Sequence, residues 1–359
     1  MLGFVLQKAT RFAMGRTAAV IDRAATLAAH AQSARARKRN LSESLPHEER
    51  LRLLGLLAPQ YPSDGERFFR EPRPIHVDER QVKRLAGGRI VDLAWPSDYE
   101  PYNPDVAERY LRYRDNHIAA ARLFLHDEPR PVAILIHGYL GGQYAVEQRV
   151  WPVDWLHRIG LDVALFVLPF HGVRGDARRR RPPPFPGSDP RVSNEGFRQA
   201  MGDLRDLARW FAERGHPAVG AIGMSLGGYT TSLLATVEPE LAFAVPMIPL
   251  ASLADFARDQ GRLGTTPMEQ TAQHRALDAV HRVVSPLHRK PLLPPERLLV
   301  IGAEADRITP LSHARRIARH FDAPLETWHG GHLLQLGRAD KFRRIARMLG
   351  ELGLTEPRR

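Results

Sequence analysis

The serine best placed for nucleophilic chemistry is Ser225, in the Gly-Met-Ser-Leu-Gly sequence of residues 223–227. The pattern follows a short apolar run, Ala218–Ile222, and precedes a helical pattern, Leu226–Val237. On a sharp turn between a strand and a helix, a serine hydroxyl projects above the edge of the sheet. Glycines on either side let the helix pack closely against the strand. The sequence therefore predicts a serine nucleophile at position 225.

A serine hydroxyl needs a general base, and the base needs an acid that orients it. Asp306 follows an apolar run, Leu298–Ile301, and His332 follows another, Leu325–Trp328. The three side chains thus occur in the order Ser, Asp, His, each after a predicted strand. We predict that Asp306 is the acid and His332 the base.

Each of these two positions has an alternative close by. Glu304 could be the acid, but Asp306 adjoins the Ile-Thr-Pro turn, so Asp306 is favoured. His329 could be the base, but it abuts its strand. His332 is favoured because the preceding Gly-Gly pair lets the loop bend back toward the serine.

Acyl transfer also needs two backbone N–H donors for the negatively charged oxygen of the intermediate. One is expected from Leu226, which follows the serine. The other is expected from the turn after Val132–Ile136, which reads His-Gly-Tyr-Leu-Gly-Gly. We predict the Tyr139 N–H as this second donor, with the Leu140 N–H as the alternative.

Three further residues are expected to line the site. His137 and Gly138 open the glycine-rich turn, and His171 lies in the Leu-Pro-Phe-His-Gly-Val-Arg-Gly sequence of residues 168–175. We interpret His137 as a group that orients the turn rather than one that transfers protons.

From residue 131 onward, short apolar runs alternate with helical patterns. Such runs are typical of strands buried on both faces of a parallel sheet. The predicted strands are Arg89–Trp95, His117–Leu125, Val132–Ile136, Asp162–Val167, Ala218–Ile222, Ala242–Met247, Leu298–Ile301 and Leu325–Trp328. The predicted helices are Phe197–Phe211, Leu226–Val237, Ala314–His320 and Phe342–Leu352. This alternation predicts an α/β fold with a mostly parallel central sheet, helices on both faces and ligands at the carboxyl ends of the strands.

The predicted organisation has two parts. Residues 1–58 form a basic helical N-terminal extension, and residues 59–359 form the α/β domain. Two segments, near 174–194 and 251–296, follow predicted strand ends and are long enough to cover the site as a cap or lid. The first contains four consecutive arginines, which are either a solvated loop or a cationic rim.

Composition limits the remaining possibilities. The 359 residues include no cysteine, which excludes disulfides, thiolate metal sites and a cysteine nucleophile. The net charge is +12, but residues 1–40 carry eight basic residues and one acid, Asp22. This arm either contacts anionic lipid or a partner, or packs as an inert extension. Lacking a secretory signal or a long apolar run, the chain is expected to be cytoplasmic, with peripheral membrane contact through residues 1–40 as an option and no nucleic-acid partner.

These motifs resemble those of the α/β-hydrolase superfamily. The resemblance covers residues 131–348 and rests on HGYLGG, GMSLGGY, GAEADRITP and HGGH. It implies that Ser225 is the nucleophile, Asp306 the acid and His332 the base, and that an ester, thioester or amide is hydrolysed without a cofactor or metal. Residues 168–175 share only His-Gly with the Asp-Arg-Gly-His-Gly pattern of many members, so no subfamily follows. The fold also hosts non-catalytic binding or scaffold proteins, and one tethered by its basic arm is the alternative function.

Overall fold

The computed structural model describes residues 22, 45–62, 65–175, 182–335 and 338–355. Within them the chain forms one sheet of nine strands, surrounded by ten α-helices. The strands are β1 Asp78–Leu85, β2 Gly88–Pro96, β3 Ile118–His126, β4 Val132–Ile136, β5 Asp162–Phe166, β6 Val219–Met224, β7 Ala244–Met247, β8 Val300–Ala303 and β9 Leu325–Trp328. The helices are α1 His47–Leu57, α2 Pro104–Leu111, α3 Tyr144–Val150, α4 Val153–Arg158, α5 Pro190–Glu213, α6 Leu226–Leu234, α7 Leu253–Asp259, α8 Pro267–His281, α9 Leu311–Phe321 and α10 Arg338–Glu351.

The strand order in the sheet is β1-β2-β3-β5-β4-β6-β7-β8-β9. The first three strands are antiparallel, and β3 joins β5 in antiparallel pairing. From β5 to β9 across the sheet, all neighbours are parallel. The prediction of a mostly parallel α/β sheet is confirmed, and the carboxyl ends of β4, β6, β8 and β9 lie along one edge.

Both faces of the sheet are buried at its centre, in β4, β5 and β6. In β4, Val132, Ile134 and Ile136 belong to one hydrophobic cluster, while Ala133 and Leu135 belong to the other. Successive side chains of a strand point to opposite faces, so the two clusters are the two halves of the core. This explains why β4 is apolar at every position rather than at alternate positions.

One strand of the sheet had no predicted counterpart. The sequence of β1 is Asp-Glu-Arg-Gln-Val-Lys-Arg-Leu, and almost all of it is exposed. Its pairing depends on a tight turn to β2, where Gly87 has a φ of +77°. A Cβ on Gly88 would lie 2.2 Å from the Leu125 carbonyl oxygen of β3. Backbone geometry at two glycines, rather than an apolar pattern, creates this edge hairpin.

The segment 174–194, which was predicted as a lid, is partly helical. The helix predicted over Phe197–Phe211 therefore starts earlier than expected. α5 begins at Pro190, and the Asp189 side chain caps it by accepting a 3.0 Å hydrogen bond from the Arg191 N–H. Aspartate before proline at the first helical position is a strong start signal. Earlier in the segment, the Phe185 ring is fully buried against Phe197, 4.8 Å away.

The C-terminal part of the predicted extension packs with the domain. Leu54 and Leu57 of α1 belong to the larger hydrophobic cluster, and the Arg50 side chain donates a 2.9 Å hydrogen bond to the Arg262 carbonyl. Apart from Asp22, residues 1–44 lie outside the described residues, as does the predicted arginine cluster of 178–181. In the second predicted lid segment, 251–296, the chain forms α7 and α8. Among the described helices, none has the length and apolarity that a membrane crossing requires.

Candidate active site

Ser225 lies on a strained turn between β6 and α6. Its φ is 59° and its ψ is −113°, a conformation that residues with a side chain rarely adopt. A Cβ on Gly223 would lie 2.0 Å from the Gly227 carbonyl oxygen, and a Cβ on Gly227 would lie 2.0 Å from that of Ile136. The two glycines are therefore needed for the close approach of α6 to the sheet, which directs the serine outward.

The structure brings Ser225 and His332 together across 107 residues of sequence. The distance between Ser225 Oγ and His332 Nε2 is 2.9 Å, and that between His332 Nδ1 and Asp306 Oδ2 is 2.7 Å. His332 and Asp306 are both buried. The partners define the proton positions: Nδ1–H donates to the carboxylate, and Nε2 accepts from the serine hydroxyl. These three side chains form one continuous hydrogen-bonded line.

Asp306 is held by its own loop. Its Oδ1 accepts hydrogen bonds from the backbone N–H groups of Ile308 (2.8 Å) and Thr309 (2.7 Å). The Thr309 hydroxyl lies 3.0 Å from Asp306 Oδ2 and 3.1 Å from His332 Nδ1. Such contacts fix the carboxylate in its orientation toward the imidazole. Sequence reasoning missed Thr309, although a threonine three residues after an aspartate is a known pattern for local side-chain capping.

The two alternative residues pair with each other instead. His329 Nδ1 lies 2.5 Å from Glu304 Oε2, and both side chains are nearly half exposed. In the described residues neither contacts Ser225. The geometry therefore favours Asp306 and His332 as the partners of the serine.

The glycine-rich turn after β4 lies directly against the serine. A Cβ on Gly138 would be 3.5 Å from Ser225 Cβ. The next two residues are exposed, and Leu140 has a φ of 67°. Within the described residues, the N–H groups of Tyr139 and Leu226 have no hydrogen-bond acceptor. Leu226 is the first residue of α6, where N–H groups have no partner inside the helix.

His137 orients this turn from beneath. Its Nδ1–H donates to the Gly138 carbonyl at 2.7 Å, and its Nε2 accepts the Leu168 N–H at 3.1 Å. Burial lowers the pKa of His137 to about 4, so the ring is neutral near pH 7. Because both ring nitrogens are occupied, the structure supports an orienting role.

His171 lies beside His137, with the two rings 5.2 Å apart. Its Nδ1–H donates to the Pro169 carbonyl at 2.8 Å, while its buried Nε2 has no partner in the described residues. Burial, together with the neighbouring His137, lowers the pKa of His171 to about 3. The Tyr139 ring packs edge-on against His171 at 5.7 Å, so His171 supports the turn beside the serine.

Buried neutral histidines predict a loss of stability in acid. Burial lowers the pKa of His281 to about 3, and it does the same for His171. In the unfolded chain, a histidine has its ordinary pKa of about 6.5. As the pH falls below that value, the unfolded chain binds protons that the folded chain does not, so stability falls. We expect His281→Asn to reduce the slope of unfolding free energy against pH by about 1.4 kcal/mol per pH unit in this window.

This prediction is checked by urea unfolding at several pH values between about 6.5 and 4. That range lies between the pKa of an unfolded histidine and the pKa of folded His281. Buried carboxylates titrate in the same range, but they are common to both proteins and cancel in the difference. Parallel curves for wild type and His281→Asn would contradict it.

A second histidine cluster lies at the opposite ends of the strands. His126, His157 and Asp162 place ligand-type atoms within 4.8 Å of one another. The two imidazole rings stack 3.8 Å apart and nearly parallel, so their in-plane lone pairs do not converge on one point. Asp162 lies 3.2 Å from His216 Nδ1 and accepts hydrogen bonds from His126 and from the Arg130 N–H. Burial alone would raise the pKa of Asp162, but these contacts, led by that with His216, outweigh it and lower the pKa. This arrangement is typical of a structural hydrogen-bonded cluster rather than a metal site.

Comparisons with known proteins agree with this architecture. The structure is similar to an acetyl xylan esterase from Paenibacillus sp. R4, with a TM-score of 0.53, 17% identity, and coverage of 83% of this chain and 92% of that one. It is also similar to acetyl xylan esterase 1 from Thermoanaerobacterium sp. JW/SL YS485, with a TM-score of 0.53, 15% identity, and coverage of 80% and 94%.

In sequence, the chain is similar to the uncharacterized protein Rv2627c of Mycobacterium tuberculosis (strain ATCC 25618 / H37Rv). The two are 32% identical over 274 residues, which are 74% of this chain and 65% of the relative. MT2702 of strain CDC 1551 / Oshkosh matches to the same extent. The chain thus spans about two-thirds of the length of these curated relatives. No family model matches the sequence.

Proposed function

Because the chain has the α/β-hydrolase fold, we propose that it is a serine hydrolase that cleaves a carboxylic ester through an acyl-enzyme. The observation that carries the proposal is the hydrogen-bonded line from Ser225 Oγ through His332 to Asp306, with steps of 2.9 and 2.7 Å. A strained serine with an adjacent base and an oriented acid is the arrangement that activates a hydroxyl for attack.

In the first half-reaction, Ser225 Oγ attacks the ester carbonyl carbon, and its proton passes to His332 Nε2. Asp306 stabilises the imidazolium through the hydrogen bond to Nδ1. The carbonyl oxygen becomes negatively charged and accepts hydrogen bonds from the N–H groups of Tyr139 and Leu226. His332 then returns the proton to the alcohol oxygen as the bond between carbon and that oxygen breaks.

Water completes the cycle. It attacks the acyl-serine carbonyl while His332 Nε2 accepts its proton, and the same two N–H groups stabilise the second tetrahedral oxyanion. The intermediate collapses to a free carboxylic acid, and Ser225 recovers its proton from His332. A thioester would follow the same steps with a thiol as the leaving group.

The test of this function is turnover of p-nitrophenyl esters and of matched thioesters by the purified protein. We expect a burst of p-nitrophenol followed by a slower steady rate, because p-nitrophenol is a good leaving group and hydrolysis of the accumulated acyl-enzyme is then the slower step. The non-catalytic alternative, a tethered binding or scaffold protein, predicts neither.

An apolar, lipid-like acyl group is the proposed substrate class. Four exposed apolar side chains occur in the loops that hold the candidate site residues: Tyr139, Leu140, Val173 and Leu333. Exposed apolar side chains near a site favour an apolar ligand because contact removes their surface from water. We therefore expect kcat/KM to rise with the acyl chain length of the ester.

Leu140→Asn tests the role of this apolar surface. Asparagine tolerates the positive φ of 67° at this position, so the backbone of the turn is retained. We expect a loss of about tenfold in kcat/KM for a long-chain ester, in line with burial of one leucine side chain, and little change for the acetate. The measurement is kcat/KM for both esters.

The matched control is Met268→Asn, which removes the most exposed large apolar side chain among the described residues, on α8. It should leave the chain-length dependence unchanged. Equal losses in both variants, or an unchanged dependence in Leu140→Asn, would contradict the proposed substrate class. Membrane contact through residues 1–40 and a cytoplasmic location stay predictions.

A further inference from the structure

A carboxylate from the far N-terminal part of the chain lies beside the candidate active site. Asp22 is the one acidic residue among the first 40, and its side chain is completely buried. Its Oδ2 accepts hydrogen bonds from the backbone N–H groups of His332 (2.5 Å) and Arg307 (3.3 Å), and its Oδ1 accepts that of Leu333 (2.9 Å).

These donors belong to the two loops that carry the proposed acid and base. Arg307 directly follows Asp306, while His332 is the base itself and Leu333 follows it. In the part of the chain that the structure describes, Asp22 is the acceptor for all three N–H groups. A single carboxylate thereby joins loops that follow β8 and β9.

We propose that Asp22 is a positioning residue for the triad. Its two oxygens hold the loops at the separation where His332 Nδ1 meets Asp306 and Nε2 meets Ser225. Hydrogen bonds to an ionised acceptor are stronger than those between neutral groups, and catalysis is sensitive to small displacements of the reacting groups. For its kinetic readouts the inference rests on the proposed hydrolase function.

The chemistry of the site explains why an acid is needed there. Three N–H donors point at Asp22, and a carboxylate consists only of acceptors. An asparagine of nearly the same shape keeps one acceptor oxygen but turns an NH₂ group toward a donor. Asp22→Asn therefore weakens the link between the loops with little change in volume.

The experiment measures kcat and KM of full-length Asp22→Asn on a p-nitrophenyl ester. We expect kcat to fall by about a hundredfold because the base is displaced, with KM nearly unchanged since no substrate contact is removed. Wild-type kcat in the folded variant would overturn the inference.

The matched control is Asp162→Asn. Asp162 is also completely buried and also accepts backbone N–H groups, those of His126 and Arg130, but it lies at the opposite ends of the strands. Its variant is expected to lower the thermal midpoint while the folded fraction keeps its kcat. If Asp162→Asn lowers kcat as much as Asp22→Asn does, the effect is general loss of stability, and the inference fails.

A second readout does not depend on turnover. The Nδ1 proton between His332 and Asp306 is expected to give a far-downfield proton NMR resonance, present in wild type and Asp162→Asn and lost or broadened in Asp22→Asn. If Asp22→Asn loses the resonance but the wild type has no esterase activity, the positioning role is retained and the proposed function is refuted. An unchanged resonance in Asp22→Asn refutes the positioning role alone.

Asp22→Ser provides a smaller neutral side chain with one acceptor oxygen, should Asp22→Asn fail to fold. It is expected to fold and to show the same selective loss of kcat. If neither variant folds while Asp162→Asn does, Asp22 acts in global stability and the inference is overturned.

Discussion

Replacing Ser225 by alanine is expected to lower ester turnover by a factor on the order of 10⁴ or more, to the level of the remaining oxyanion donors and binding contacts. The variant lacks the Oγ that lies 2.9 Å from His332 Nε2, so no acyl-enzyme can form. The backbone need not change, because alanine retains the Cβ of serine. The measurement is the steady rate of p-nitrophenol release, with the thermal midpoint as evidence of folding.

The matched control is Ser232→Ala. Ser232 lies on α6, the helix that begins directly after Ser225, and is completely buried. Its hydroxyl donates to the Gly228 carbonyl at 2.9 Å rather than to a base. Turnover in this variant should equal that of the wild type. Retained turnover in Ser225→Ala, with both variants folded, would show that another group performs the chemistry.

Asp306→Asn is the second change with a large expected effect, a fall in kcat of about 10⁴-fold. The asparagine NH₂ group cannot accept the Nδ1–H of His332, so the imidazole adopts the tautomer whose Nε2 carries a proton and cannot act as a base. Ile308 and Thr309 hold the side chain in place through their N–H groups, which limits any compensating rotation. The measurement is kcat at saturating ester.

Glu304→Gln is the control for this change, since Glu304 is the other acid of the same loop. It pairs with the exposed His329 and does not contact the serine or His332 in the described residues. We expect kcat to stay within the range of the wild type. A large loss in Glu304→Gln together with a small loss in Asp306→Asn would reverse the assignment of the acid.

Local sequence patterns were sufficient to locate the central sheet. β4 coincides with the predicted run Val132–Ile136, because a strand buried on both faces is apolar throughout. β9 also coincides with its predicted run, Leu325–Trp328, although this edge strand is only partly buried.

The order of the candidate residues along the chain placed an acid and a histidine after strands that end at one edge. The choice of Asp306 over Glu304 rested on the adjoining Ile-Thr-Pro turn, and that of His332 over His329 on the preceding Gly-Gly pair; Asp306 and His332 are the two that lie in line with Ser225.

Long-range contacts were beyond the reach of such patterns. Asp22 meets the His332 loop across 310 residues, and nothing in its immediate sequence indicates an acceptor site. The strand β1 is polar and exposed and depends on its turn at Gly87. Asp22 depends on a partner that is distant in sequence, and β1 depends on backbone geometry. In neither case does the local pattern of side chains indicate the contact.

The most direct measurement is covalent labelling by a fluorophosphonate, followed by peptide mapping of the adduct. Such probes react with serine hydroxyls activated by a neighbouring base. We expect a single phosphonylated residue, Ser225, with labelling lost in Ser225→Ala and retained in Ser232→Ala. An unlabelled wild-type protein, or an adduct that persists undiminished in Ser225→Ala, would contradict the assignment of Ser225 as the nucleophile.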